Sequence, residues 1–414
     1  MSCCRKKTGF PALLGALLSG CFILSMLSGC SGNSPTASTA EDDAPKRHIN
    51  TAYLRIGLYG SLTGTSSLQG RMAQLGCRLA VDEINENGGI NGKPIRLIEY
   101  DDHADAQSSI EAVKRLILED QVDAIIGTHV SDNLIQTIPI TEQHRILQIG
   151  LGTSQLWTGQ GYESVFRSTG NSRIYDKAIL SEIYSDNRHR LAVCYTDSVY
   201  ASAGAEHIRE LVEADQRIQL VWFQMTAPDQ TDFKKYFQQM KLQKPDAVLL
   251  YCAANNQQSA GIELKQLRKI CGYSGAVYAM EAFADPAARI PAGDSINGLK
   301  FVCDAFIPGS PNDADTACEK LFLENFVRAY GSMPEAEEAY RGYDAVMLLA
   351  ETFRTAKDYS PESLREAMCS IRDHEGIAGT FDFRDGTGDG RSSCKIIQVM
   401  DQSTFATKDY QARD

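Results

Sequence analysis

From Tyr53 onward the chain alternates short apolar runs with amphipathic stretches, and this alternation limits its fold more than any other feature. The runs cover residues 54–59, 95–100, 122–127, 146–150, 191–196, 218–224, 247–251, 276–280 and 299–302. They are short, often β-branched and bounded by Gly, Pro or Asp, which reads as buried strands. Between them the spacing predicts helices. In residues 70–87, Met72, Leu75, Leu79 and Ile84 share roughly one face, and Gly88-Gly89 follows as a stop. Ile110, Val113 and Ile117 repeat the spacing within residues 104–120. Residues 230–244, 256–272, 315–331 and 337–356 follow the same pattern. Strand–helix alternation of this length implies parallel sheets covered by helices on both faces. There are too many strands for one open sheet. Two packed lobes with a cleft between them are expected, and ligands of open α/β sheets sit beyond the carboxyl ends of strands.

The tail reads differently. Residues 380–384 and 395–400 look like two strands joined by Asp385-Gly386-Thr387-Gly388-Asp389-Gly390. A calcium loop would need oxygen ligands at its third and twelfth places, where Thr387 and Ile396 stand, so a hairpin turn is expected.

The first residues read as a targeting segment. Arg5, Lys6 and Lys7 precede an apolar stretch from Phe10 to Leu27, the layout of a secretory signal. Pro11, Gly15, Ser19 and Gly20 interrupt it, which disfavours the alternative of a retained spanning helix. Residues 31–46 are small, polar and acidic, the composition of a flexible tether. The formal net charge of −12 argues against nucleic acid, which needs clustered Lys and Arg.

The chain has 12 cysteines. Export to oxidising surroundings allows disulfides, and Cys303 with Cys318 and Cys369 with Cys394 are the candidate pairs. Cys77 in a helical pattern and Cys194 in a strand pattern read as buried free thiols. There is no C-x-x-C, and no metal or other cofactor is expected.

Three stretches together carry a family resemblance: Gly60-Ser61-Leu62-Thr63-Gly64, then Ala80-Val81-Asp82-Glu83-Ile84-Asn85 running into Gly88-Gly89-Ile90-Asn91-Gly92-Lys93-Pro94, then Tyr100-Asp101-Asp102. Gly342-Tyr343-Asp344-Ala345-Val346 also fits. Their order resembles the branched-chain amino-acid-binding (Leu/Ile/Val-binding) proteins of ABC transporters, within the type I periplasmic solute-binding group. The resemblance implies an α/β, two-lobed periplasmic-binding-protein type I fold with three hinge crossovers. Lobe 1 would hold residues 54–171 and 302–377, and lobe 2 residues 172–301 and 378–410. Leu27-Ser28-Gly29-Cys30 resembles a bacterial lipobox, with Leu18-Ser19-Gly20-Cys21 the competing site. It implies a signal peptide over residues 1–29, a lipidated Cys30 and a tether over residues 30–52. The expected setting is the periplasm or outer face of a bacterial membrane.

The resemblance also implies a site. Ser131 falls where a serine donates to a ligand carboxylate, and Ser154 where a hydroxyl and N–H grip the same group. Thr153 falls where a carbonyl receives the ammonium, and Glu281 where a carboxylate pairs with it. Tyr200 occupies a family aromatic position. Ser66 and Asn255 stand where the family often has aromatic residues, so a more polar side-chain pocket is expected. The implied function is capture of an amino acid by hinge closure and delivery to an ABC permease, by a monomer without catalysis. Two alternatives stay open: another small solute (an amide, a urea-like compound or an aromatic acid), or a ligand-sensing module for a separate membrane receptor. An enzyme is not expected, since no nucleophile elbow, His-Glu-x-x-His or Walker loop occurs. His103, the nearest catalytic candidate, reads as a solvated turn residue.

Overall fold

The computed structural model describes residues 52–252 and 257–412. The signal, Cys21, Cys30, most of the tether and Asn255 lie outside the described residues. Among those described, no helix is long and apolar enough to cross a membrane.

The first strands are β1 (Leu54–Gly60), β2 (Ile95–Asp101), β3 (Ala124–Ile126), β4 (Leu147–Gly150) and β5 (Val165–Arg167). They form a parallel sheet in the order β2-β1-β3-β4-β5. β1 is buried along nearly its whole length, which is why it reads as a continuous apolar run and not as an alternation. Helices α1 (Ser67–Glu86), α2 (Ala106–Leu118) and α3 (Ser131–Gln143) connect these strands. The second sheet takes β6 (Arg190–Thr196), β7 (Gln219–Thr226), β8 (Ala247–Tyr251), β9 (Ala276–Ala279) and β10 (Lys300–Cys303), all parallel. Its connections carry α4 (Ser172–Ser185), α5 (Val199–Asp215), α6 (Lys234–Leu242), α7 (Gln257–Lys265) and α8 (Pro286–Ala292). The chain then returns to the first sheet with α9 (Ala317–Tyr330), α10 (Glu338–Thr355) and α11 (Pro361–Cys369). The last strands are β11 (His374–Glu375), β12 (Thr380–Phe381), β13 (Ser393–Val399) and β14 (Phe405–Gln411).

Strand alternation sends side chains to two faces of each sheet. Ile56 and Leu58 pack with α1 and α10, while Tyr59 and Ile125 pack with α2. In the second sheet Val248 and Leu250 meet α7, and Leu249 and Tyr251 meet α4 and α5. One helix pair approaches closely enough to require glycine. A Cβ on Gly76 of α1 would stand 2.0 Å from the Ala339 carbonyl oxygen, and one on Gly342 of α10 would stand 2.2 Å from that of Ala73. The family-like Gly342 is therefore a packing residue, and it fixes where the first turn of α10 lies. Two other motif stretches also hold each other. Leu62 N–H and the Thr63 hydroxyl donate to Asp101 (2.9 and 2.6 Å), and the Ser61 hydroxyl donates to Asp102 at 2.9 Å.

The tail corrects the expected hairpin. β12 pairs with β11, and β13 pairs with β10 and β14, all antiparallel. The loop after β12 runs back to the first sheet instead. Gly388 O accepts from Arg167 N–H at 3.1 Å, and Asp389 pairs with Arg167 Nε at 2.6 Å. Phe381 and Phe383 lie in the first sheet's core. β10 stays in the second sheet through Cys303. Residues 302–303 and about 378–390 therefore sit opposite to the lobes expected for them. The reason is that a strand keeps its sheet until its ladder ends, and that two buried phenylalanines hold the tail loop.

All eight described cysteines are free, which overturns both candidate disulfides. Cys303, Cys318, Cys369 and Cys394 lie in or against four different hydrophobic clusters. Separation of that kind prevents the Cβ approach of about 4 Å that a disulfide needs. Cys77 and Cys194 are buried free thiols, as expected.

Candidate ligand cleft

The chain passes between the sheets near Asn171, after Cys303 and near Arg391, and Asp304 ties the three passages together. Its carboxylate accepts from Gly170 N–H at 2.7 Å and the Tyr175 hydroxyl at 2.6 Å. Arg391 pairs with it at 2.8 Å and Arg341 at 3.2 Å. Burial alone would raise this carboxyl, but Arg391 and Arg341 outweigh it and hold Asp304 below the usual carboxylate range. It is a buried anion with two cations and two neutral donors, the arrangement that makes a buried charge tolerable.

On the cleft side of this hinge lies a cavity of about 20 Å3, room for roughly one water. It brings together four of the residues expected at the site: Ser131, Thr153, Tyr200 and Glu281. Ser131 is the first residue of α3, whose first-turn N–H groups and dipole favour an anion. Its hydroxyl oxygen accepts from Ser154 N–H at 3.3 Å. Thr153 follows β4, and its hydroxyl donates to Glu281 Oε1 at 2.5 Å. Glu281 follows β9, so this bond crosses the cleft. Asp132 of α3 accepts from Val199 N–H at 3.1 Å, and the Gln155 amide donates to Ala203 O at 2.9 Å, both also across it. The described form is closed.

Three expected roles are not met. The Thr153 carbonyl, expected to receive an ammonium, already accepts from Ser172 N–H at 2.8 Å and Arg167 Nη1 at 3.3 Å. Arg167 is fully buried, stacks on Trp157 at 3.9 Å and also holds the Ser154 carbonyl. It uses up the carbonyls of this loop. Ser154 is buried but does not line the cavity, and its hydroxyl accepts from Leu156 N–H at 3.3 Å. Ser66 is buried at the start of α1, also away from the cavity.

The structure adds residues that the sequence reading missed: His129, Asp132, Ser198, Glu338 and Arg341. Burial pushes the His129 imidazole down to about 4, so it is neutral at pH 7. Its Nε2 has no hydrogen-bond partner, and neither does the Tyr200 hydroxyl. Arg341, in the first turns of α10, is 3% exposed as a side chain and faces four carboxylates. It reaches Glu281 at 3.0 Å, Glu338 at 3.4 Å, Asp304 at 3.2 Å and, closest, Glu337. Burial pushes Glu338 up to about 7 and lifts Glu337 well above its usual value, in both cases against the pull of Arg341. The cavity thus has a hydroxyl-rich end at a helix N-terminus and an acid-rich end at α10. Apart from Glu281, the sequence signal for the second end was three charged residues, Glu337, Glu338 and Arg341, at the start of a helix pattern.

Comparison with known proteins agrees with this architecture. Residues 54–404 match the family described as periplasmic binding protein. A leucine-, isoleucine-, valine-, threonine- and alanine-binding protein of Pseudomonas aeruginosa is 24% identical over 319 residues, covering 76% of this chain and 82% of that protein. A branched-chain amino acid transporter substrate-binding protein from Streptococcus pneumoniae, solved with isoleucine, superposes with a TM-score of 0.75 at 23% identity, covering 87% of this chain and all of that one. A solute-binding protein from R. palustris in complex with benzoate superposes with a TM-score of 0.73 at 18% identity, covering 86% of this chain and 95% of that one. The fold is that of type I periplasmic binding proteins. With the family match spanning both sheets and the cleft between them, this chain belongs to the periplasmic binding protein family.

Proposed function

We propose that the protein is the extracytoplasmic receptor of an ABC importer and binds a free α-amino acid in the cleft, tethered through a lipidated Cys30. The observation that carries this reading is the pairing of Ser131 at the α3 N-terminus with Glu281 on the facing wall, both lining one cavity. A carboxylate suits the first and an ammonium the second. The ligand carboxylate would insert between the Ser131 hydroxyl and Ser154 N–H, replacing their 3.3 Å bond. The ammonium would take Glu281 together with the Thr153 hydroxyl, not the Thr153 carbonyl. Entry requires the Glu281 bonds to Thr153 and Arg341 to part, so opening of the hinge precedes binding. The named relatives that bind amino acids support this reading, and the benzoate-bound neighbour supplies the competitor to test against it.

The test is a thermal-shift screen of the folded, ligand-free protein against α-amino acids, their amides and benzoate. A ligand at a hundred times its dissociation constant stabilises the fold by about 2.7 kcal/mol. A shift with benzoate and with no amino acid would overturn the proposal.

A further inference from the structure

Resting on that reading, we infer that the ligand is a small α-amino acid whose short side chain ends in a hydroxyl, received by His129 and Tyr200. Both residues line the cavity, and they come from the two sides of the cleft: His129 from the loop between β3 and α3, Tyr200 from the first turn of α5. The Asp132 carboxylate accepts from Val199 N–H at 3.1 Å and so holds these two helix starts together. His129 is 6% exposed and Tyr200 4%, yet His129 Nε2 and the Tyr200 hydroxyl each lack a hydrogen-bond partner. Buried polar groups almost always have one. Tyr251, whose ring lies 5.3 Å from that of Tyr200, does not donate to it, because its hydroxyl donates to Asp176 at 2.9 Å. The rest of the polar lining is engaged. The Ser198 hydroxyl, for example, accepts from Ala201 N–H at 3.1 Å, and Glu338 pairs with Arg341. Once Ser131 holds the carboxylate and Glu281 the ammonium, His129 and Tyr200 are what the cavity offers to the side chain.

A neutral imidazole presents Nε2 either as an N–H or as a lone pair, and a phenol both gives and takes a hydrogen bond. A hydroxyl is the smallest group that answers both. It gives its proton to Nε2 and accepts from Tyr200 O–H, or it gives its proton to the Tyr200 oxygen and accepts from Nε2–H. Size narrows the choice further. The cavity of about 20 Å3 has room for roughly one water-sized group, which excludes a long or bulky side chain. An acidic side chain would meet Asp132 and Glu338 in the same lining. A methyl in place of the hydroxyl would leave both polar atoms buried and unpaired.

Calorimetry at pH 7.5 tests this by comparing serine with 2-aminobutyrate and threonine with valine, pairs that exchange a hydroxyl for a methyl. At least one hydroxyl ligand should bind about tenfold or more tighter than its methyl counterpart, because a site built around a hydroxyl is left unpaired by the analogue lacking it. Tyr200→Phe and His129→Leu, each checked for folding by thermal unfolding, should bring that ratio toward one by weakening the hydroxyl ligand. If neither variant folds, the ratios measured on the unaltered protein decide. Methyl counterparts binding as tightly as the hydroxyl ligands would overturn the hydroxyl and leave the amino-acid reading standing. A ratio unchanged in both folded variants would overturn the assignment to His129 and Tyr200. Leucine binding more tightly than serine and threonine would overturn the small side chain. Binding of no α-amino acid by folded protein would overturn this inference together with the amino-acid reading.

Discussion

The two ends of the cleft are made in opposite ways. The Ser131 end comes from local chain geometry: a strand, a short loop and a helix start, repeated after β3 and β4. Its groups are hydroxyls, an imidazole that burial keeps neutral and one carboxylate, Asp132, which accepts from Val199 N–H across the cleft. The Glu281 end comes from convergence. Residues 281, 285, 304, 337, 338 and 341 meet there from β9, β10 and α10 and their loops, and most of them are charged. Neutral donors at a helix terminus are inexpensive to bury, whereas clustered carboxylates are tolerated only around a cation. The first end can wait for a ligand at little cost, and the second depends on Arg341.

The sharpest way to break this comparison is Arg341→Met. It should destabilise the protein by about 3–5 kcal/mol in denaturant unfolding, the usual consequence of removing one partner from a buried charge cluster. A loss below about 1 kcal/mol would mean that the carboxylates are not held charged by this residue. Next in size is a pH effect at the other end. The His129 folded value lies near 4, below the unfolded 6.5, so the unfolded state binds more protons between those values. Its contribution to stability is therefore present above about pH 6.5 and is lost as pH falls toward 4, by at most about 1.4 kcal/mol per pH unit. His129→Asn should flatten the acid limb of the stability curve, and an unchanged slope would show that His129 is not buried neutral.

Smaller effects compare the two ends in binding. Glu281→Ala should weaken the cognate ligand by about 2 kcal/mol or more by calorimetry, as for truncation of one member of a buried pair. Ser131→Ala should cost about 1 kcal/mol, the scale of one hydrogen bond. If the serine variant lost more than the glutamate variant, the anion would be the dominant recognition element and the contrast between the ends would be reversed.

Much of this was legible from the residues alone. Nearly every apolar run forms a strand close to its expected bounds, because parallel strands buried on both faces must be apolar throughout. The strands β5, β11 and β14 were missed: two or three residues give no period, and Phe405–Gln411 is mostly exposed. Ser131, Thr153, Tyr200 and Glu281, which the family resemblance implied, line one cavity, each in or just beyond a loop that follows a strand. Ser66 failed because burial at a helix start says nothing about which cavity is near. The Thr153 carbonyl failed because Arg167, fourteen residues on, takes it.

What the sequence by itself determined is the alternation of strand and helix, the family of the chain and the loops that face the cleft. These depend on neighbours within a few residues, where periodicity and turn chemistry act. Tertiary structure alone decided the state of Cys303, Cys318, Cys369 and Cys394, the docking of Asp389 on Arg167, the knot at Asp304 and the gathering of four carboxylates around Arg341. Each of these depends on groups distant in sequence sharing one low-dielectric space. There a charge is stable only if the fold brings it a partner, and the order of residues along the chain does not state that pairing.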